Sequence, residues 1–351
     1  MKTRNLSPQQ MFIRTALENK PSCCFTGRTP AAFAAWKKKA KPLVLATLGR
    51  FPKRVAPEPE LVSEWIEDGL QKQRWMIEVQ PHLAASFQIN RPAGLDPREK
   101  RPAILCWHGH GVFGKDSVMG NASSPERVAN IKAHNYDYGR QMAQAGFITF
   151  AIDWIGYGDR NDSRKPHFLS HNNGRDWCNL YYLHATMLGM TSLSINISHG
   201  IAATDFACTL PNVDPKRLGV MGLSGGGTMT TWSLLCDKRF RAGEIICYCD
   251  QWAYFGMRDL NYCGMQVAPG LFALMDLPDL QGLIAPTPLL LDIGLYDTCF
   301  LPETTLPAGR RVEAIYQAAG AADKFEADIF PGEHGWGGNK SVAFFNKHLS
   351  N

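Results

Sequence analysis

The stretch best suited to covalent chemistry is Gly222-Leu223-Ser224-Gly225-Gly226-Gly227. It reads G-x-S-x-G, placed between an apolar run, Arg217–Gly222, and a helix-length segment, Gly226–Leu235. A turn that tight forces the serine into a strained backbone conformation and projects its hydroxyl above a sheet edge, and glycines flank it because side chains there would collide. Ser224 is therefore the candidate nucleophile for attack on an acyl carbonyl. A serine hydroxyl attacks poorly until a base takes its proton, so a histidine and an orienting acid are expected downstream. His334, in Pro331-Gly332-Glu333-His334-Gly335-Trp336, follows the apolar run Phe325–Phe330 and precedes the last helix. Its competitor His348 falls inside that helix. The acid is expected after the run Pro288–Gly294, where Asp297 stands in Leu295-Tyr296-Asp297-Thr298. Asp250, after Cys247-Tyr248-Cys249, is the alternative acid. Asp292 lies within its run, and Glu333 adjoins the histidine and points away from it.

A second stretch, Leu105-Cys106-Trp107-His108-Gly109-His110-Gly111-Val112-Phe113-Gly114-Lys115-Asp116, admits three chemistries. Its glycines spell G-x-G-x-x-G, but a dinucleotide loop must open a helix and have an acidic residue about twenty positions on, at the end of a second strand. Neither follows here. His108 and His110 form an H-x-H pair, but a metal needs further ligands at workable spacing. His134, His167, His171, His184 and His199 form no such motif. No metal and no cofactor are expected. The third chemistry is main-chain stabilisation of an oxyanion.

These residues need a scaffold that brings them together. From about Arg74 the chain alternates short apolar runs with helical segments. The runs are Arg74–Val79, Ala84–Asn90, Ala103–Trp107, Phe147–Asp153, Arg217–Gly222, Glu244–Tyr248, Pro288–Gly294 and Phe325–Phe330. The helical segments are Arg140–Ala145, Ser192–Leu210, Gly226–Leu235, Arg310–Ala319 and Ser341–Leu349. That alternation predicts an α/β fold: a mostly parallel sheet of about eight strands with helices on both faces. Ligands then bind outside the carboxyl ends of the strands, where the candidate residues stand. Two helical patterns, Ser7–Asn19 and Thr29–Leu48, and a proline-rich connector precede the sheet, so residues 1–72 read as an N-terminal helical extension to a domain of residues 73–351. Residues 161–190, rich in His, Asn, Trp and Tyr, read as an inserted lid or pocket wall.

Taken in order, HGHG, DWIGYGD, GLSGGG, LYD and PGEHGW resemble the α/β-hydrolases, and within them the acetyl xylan esterase-like and dienelactone hydrolase-like branch. The resemblance spans roughly Arg74 to Leu349. It implies the α/β-hydrolase fold, with Ser224, Asp297 and His334 matching the catalytic triad. Dienelactone hydrolases use a cysteine nucleophile, so the serine here points to carboxylic esters generally. The expected oxyanion donors are the N–H of Gly225 and one from the loop after the third strand, His110 first and Gly111 second. His108 is expected to brace that turn, and Asp153 and Asp159-Arg160 to fix the neighbouring Gly156/Gly158 turn. Among the aromatics near the predicted edge, Phe113, Trp154, Tyr157 and Trp336 are expected in the substrate pocket. The implied function is a serine esterase working through an acyl-enzyme, with carbohydrate acetyl esters as one substrate class. A peptidase or acyltransferase of the same fold, or a catalytically silent ligand-binding relative, are the alternatives.

Bulk composition agrees. The chain has 351 residues, 45% hydrophobic and 20% charged, enough for one large α/β domain. A formal charge of +5 without a concentrated basic face does not suggest nucleic acid; the run Trp36–Lys41 reads as a solvated helix face. No run reaches transmembrane length. The ten cysteines show no C-x-x-C spacing, and together with the absence of a signal-peptide core at the start they suggest a cytoplasmic, reducing compartment, without excluding a removed leader. The expected partner is a small-molecule ester, with no nucleic acid and no membrane. The oligomeric state is open, a homodimer through the N-terminal helices being one option.

Overall fold

Leu289–Gly294 is buried at every position and Ile148–Ile152 likewise, the mark of strands covered on both faces. The computed structural model describes residues 4–162 and 177–350, and in it these two runs lie in a sheet of nine strands. The strands are β1 (Glu60–Glu67), β2 (Leu70–Gln80), β3 (Leu83–Pro92), β4 (Arg101–Trp107), β5 (Ile148–Ile152), β6 (Val213–Leu223), β7 (Phe240–Ile246), β8 (Leu289–Gly294) and β9 (Phe325–Phe330). Their spatial order is β1-β2-β3-β5-β4-β6-β7-β8-β9. The neighbours from β5 through β9 run parallel, while β1/β2, β2/β3 and β3/β5 are antiparallel.

The helices are α1 (Pro8–Glu18), α2 (Pro30–Ala46), α3 (Lys115–Val118), α4 (Pro125–His134), α5 (Tyr138–Gln144), α6 (Trp177–Met187), α7 (Ser192–Ala207), α8 (Gly225–Cys236), α9 (Leu271–Leu274), α10 (Leu277–Gly282), α11 (Pro302–Ala318) and α12 (Ser341–Leu349). Two buried clusters cover the sheet. One includes Phe87, Phe150, Trp232 and Leu291, the other Tyr138, Phe147, Met221 and Phe345.

The boundary expected at residue 72 falls differently. Only the chain up to Ala46 is helical, and Glu60–Glu67 forms the edge strand β1. That strand is exposed at seven of its eight positions, so it carries no buried face to betray it. A signal was nevertheless present: Asp68-Gly69 joins β1 to β2 with φ of 53° and 74°, the left-handed pair that a two-residue hairpin requires. Nor does the N-terminal segment form a separate core. Phe25, Phe33 and Val44 belong to the main buried cluster, and the Phe25 N–H donates to Asp279 at 2.7 Å.

Among the described residues, no helix is long and apolar enough to cross a membrane. Within the expected insertion 161–190, residues 163–176 lie outside the described residues, and α6 forms most of the remainder.

Candidate active site

At the end of β6 the chain reverses into α8 through Ser224, whose φ of 59° and ψ of −120° no helix or strand uses. Such strain persists only where the surroundings over-determine it. Here the Ser224 N–H donates to the Ile246 carbonyl at 2.8 Å, and the Ser224 carbonyl accepts the N–H of Gly227 at 2.7 Å. A side chain at Gly226 would run into the Trp107 carbonyl of β4. The sequence pattern is thus explained by close backbone approach. Ser224 is half-buried and, with His334, lines a cavity of about 470 Å³.

His334 follows β9, as expected. Its Nδ1 lies 2.8 Å from Asp297 Oδ2. Asp297 follows β8 and is buried, and its Oδ1 accepts the N–H groups of Cys299 at 2.7 Å and Phe300 at 3.0 Å. Two main-chain donors and an imidazole therefore hold this carboxylate in one orientation. Phe300 stacks on the His334 ring at 5.7 Å with the planes 14° apart. The alternative acid is occupied elsewhere: Asp250 Oδ1 accepts from Gln251 N–H at 2.6 Å and Oδ2 from the Thr304 hydroxyl at 3.0 Å. Burial pushes the Asp250 carboxyl up to about 7. Asp292 is buried within β8, beside Glu244 of β7. His348 is in α12, away from the cavity lining.

The loop after β4 lies against the elbow. A Cβ on Gly109 would stand 2.7 Å from the Leu223 carbonyl and 3.2 Å from Ser224 Cβ. The His110 ring leans over Gly225, with Nδ1 3.0 Å from where a Gly225 Cβ would be. The main-chain N–H groups of His110, Gly111 and Gly225 have no hydrogen-bond partner among the described residues. Gly225 also opens the twelve-residue α8, whose N-terminus favours negative charge. Of the two expected loop donors, His110 is the one against the elbow; a Cβ on Gly111 would meet nothing within 4 Å.

His108 braces the turn as expected. It is buried, its Nε2 accepts the Trp154 N–H at 3.0 Å, and its Nδ1 lies 2.7 Å from the Gly109 carbonyl. Only the tautomer with its proton on Nδ1 makes both bonds. Burial holds its pKa down at about 4, so that neutral form is kept at physiological pH. Asp153 anchors the same corner: it accepts the Lys115 N–H at 2.7 Å, the buried Lys115 ammonium at 2.9 Å and the Asp159 N–H at 3.1 Å. Arg160 donates to the Asp153 carbonyl at 2.9 Å.

The aromatic wall is the main correction. None of Phe113, Trp154, Tyr157 and Trp336 lines the cavity over Ser224. Trp336 is buried, with Nε1 bonded to Glu244 at 2.9 Å and Ser341 at 3.0 Å. Trp154 is buried behind His110 and Gly225. The Tyr157 hydroxyl meets Cys178 Sγ, and Phe113 lies under the Arg127 guanidinium. Proximity in sequence to an edge loop does not decide which way a ring turns. The wall is instead made by Asn179 of α6, Tyr262, Cys263 and Gln266, with His134 and Phe300 beside His334. It is braced internally, since Asn179 accepts the Gly264 N–H at 2.8 Å and Gln266 accepts the Thr228 hydroxyl at 2.8 Å.

Two tyrosines escaped the sequence reading altogether. The Tyr136 hydroxyl accepts the Gly109 N–H at 2.6 Å, and the Tyr138 hydroxyl donates to the Trp107 carbonyl and accepts the Leu223 N–H at 3.4 Å. Together they clamp the loop after β4 and the elbow. His134 adds a bond from Nδ1 to the His334 carbonyl at 2.7 Å. No spacing rule marks Tyr136-Asp137-Tyr138; only the fold brings it under both loops.

Comparison with known proteins agrees with this architecture. The profile described as "Abhydrolase family" matches residues 2–330. YtaP, a provisionally named hydrolase of Bacillus subtilis (strain 168), is 25% identical over 224 residues, which cover 63% of this chain and 69% of that one. A Bacteroides fragilis NCTC 9343 structure, provisionally assigned as an acetyl xylan esterase, superposes with a TM-score of 0.73 at 19% identity, covering 93% of this chain and 83% of that chain. A glucuronoyl esterase from Solibacter usitatus superposes with a TM-score of 0.65 at 15% identity, covering 93% and 95%. At such identities the two structures speak for the fold.

Proposed function

We propose that this chain, which belongs to the abhydrolase family, hydrolyses carboxylic esters through an acyl-enzyme on Ser224. The observation that carries the reading is the strained serine sharing a cavity with His334, whose Nδ1 is bonded to a buried, doubly anchored Asp297. Asp297 keeps the His334 proton on Nδ1, leaving Nε2 to accept one. Ser224 Oγ attacks the acyl carbon as His334 Nε2 takes its proton. The resulting oxyanion accepts hydrogen bonds from the N–H groups of Gly225 and His110. Collapse expels the alcohol, which leaves with the proton from His334. Water, deprotonated by His334, then attacks the acyl carbon; collapse breaks the bond to Ser224 Oγ, which takes that proton back from His334, and the carboxylic acid leaves.

Carbohydrate esters are the substrate class to try first, because the B. fragilis and S. usitatus neighbours are described as an acetyl xylan and a glucuronoyl esterase. The cavity wall also suits them: Asn179, Tyr262 and Gln266 offer polar groups beside apolar Phe300. A panel of p-nitrophenyl esters and acetylated sugars, run with the wild type and Ser224→Ala, tests the reading. Turnover by the wild type that vanishes in the variant is expected; turnover retained by Ser224→Ala removes the mechanism.

A further inference from the structure

One corner of the cavity carries side-chain donors, an imidazole ring and two thiols, that ester hydrolysis does not use. His110 Nε2 lies 3.1 Å from Cys263 Sγ. Cys178 Sγ joins them, and the three donor atoms lie within 4.8 Å of one another. They come from three separate elements: the loop after β4, helix α6, and the segment before Gly264–Gln266. His110 is exposed, Cys263 half-buried and Cys178 buried. Both His110 and Cys263 line the cavity.

We propose that His110, Cys178 and Cys263 form a binding site for a soft divalent cation of the zinc type, and that filling it blocks the cavity. Two thiolates and an imidazole are the donors that zinc and cadmium prefer. Bonds of roughly 2.3 Å to sulfur and 2.0 Å to nitrogen put tetrahedral sulfurs about 3.8 Å apart and sulfur about 3.5 Å from nitrogen. The present donors, within 4.8 Å of one another, are close to that spacing. Three protein donors leave a fourth position for solvent or another ligand, and two of the three donors line the cavity. Binding is a simple exchange: the cation forms two M–S bonds and one M–N bond, and two thiol protons leave for solvent.

The blocking role rests on the proposed esterase function, because His110 is both a ligand here and the loop donor there. A cation on its ring fixes that loop and takes space beside Ser224. The ion-binding role stands without it.

Cadmium titration of the full chain, followed by the ultraviolet cadmium–thiolate band, tests the site directly. One cation per chain with a two-thiolate band is expected. Losing even an outer-shell partner costs roughly 10–100-fold in metal affinity, so Cys178→Ser and Cys263→Ser should each bind at least about tenfold more weakly and show about half the band. Two variants guard against one failing to fold. Binding by both variants as tight as wild type would overturn the site and send the ion elsewhere, for instance to Cys247, Asp297 and His334, which also converge. Zinc should inhibit wild-type turnover reversibly by chelator, and Cys178→Ser should need about tenfold more. Equal zinc sensitivity in Cys178→Ser overturns the blocking role. A chain inactive on every ester but normal in the cadmium titration would sink the esterase reading and leave the site standing.

Discussion

Asp297 faces His334 with one carboxylate oxygen, 2.8 Å from Nδ1, and spends the other on the N–H groups of Cys299 and Phe300. This division fixes the carboxylate and, through it, the tautomer of the histidine. Asp297→Asn keeps the shape but offers an amide that can donate to Nδ1 and stabilise the wrong tautomer. On the catalytic reading, kcat should fall by about 10⁴ with KM little changed. Steady-state kinetics on the best ester substrate check it, and a drop below tenfold would return Asp250 to consideration as the acid.

Tyr136→Phe removes the acceptor for the Gly109 N–H in a buried setting. A buried donor left unpaired costs about 1–3 kcal/mol. The same loop carries the His110 N–H, so kcat should fall along with the melting temperature. Tyr138→Phe serves as the companion, since it releases the Trp107 carbonyl and Leu223 N–H at the elbow itself. Thermal denaturation with kinetics on both variants separates a loop effect from general loosening.

Gly226→Ala should abolish the fold around the elbow, because the added methyl meets the Trp107 main-chain carbonyl, which cannot swing aside. The expected result is insoluble or molten protein rather than a folded enzyme with altered specificity. A cooperative melt within a few degrees of wild type would show that β4 and the start of α8 can separate.

Trp336→Phe should act on stability and leave KM alone. The substitution strips a donor from the buried Glu244 carboxylate, whose Oε1 it shares with Ser341. A substantial rise in KM at unchanged stability would restore Trp336 to the pocket.

Glu244 and Asp292 give the fold a pH dependence apart from catalysis. Burial pushes Glu244 from 4.5 up to about 7, and burial beside Glu244 raises Asp292 as well. Between pH 4.5 and 7 the unfolded chain has released the Glu244 proton while the native state keeps it. The native state then binds more protons, so stability falls as pH rises through this window, and the Glu244 contribution levels off above it. Glu244→Gln cannot ionise, and its stability should fall less steeply over the same range. Urea denaturation at pH 5, 6, 7 and 8 compares the slopes; parallel curves would clear Glu244 of the effect.

The chemistry most visible in the sequence was that which depends on backbone conformation. Gly222-Leu223-Ser224-Gly225-Gly226 needs its glycines for an elbow wherever the rest of the chain goes; the runs before Ser224 and Asp297 are buried on both faces, and the run before His334, only partly buried at the sheet edge, is still a short apolar stretch ending in a glycine-rich turn, so each announces a strand whose end is a loop. Order along the chain then sufficed to propose the three residues. β1 lay hidden for the opposite reason: neither of its faces is buried, and only the Asp68-Gly69 turn marks it.

Which side chains face the cavity was a matter for the tertiary structure alone. A ring's direction depends on what packs behind it, so Trp154 and Trp336 turned inward to His110 and Glu244, while Asn179, Tyr262 and Cys263 formed the wall. The H-x-H pair makes the same point. Read along the chain, His110 had no further ligands at workable spacing; folded, it finds Cys263 across 153 positions and Cys178 on α6. Local sequence determines local backbone because steric limits act between neighbours. Sites built from separate loops are determined by packing, which no spacing within one segment records.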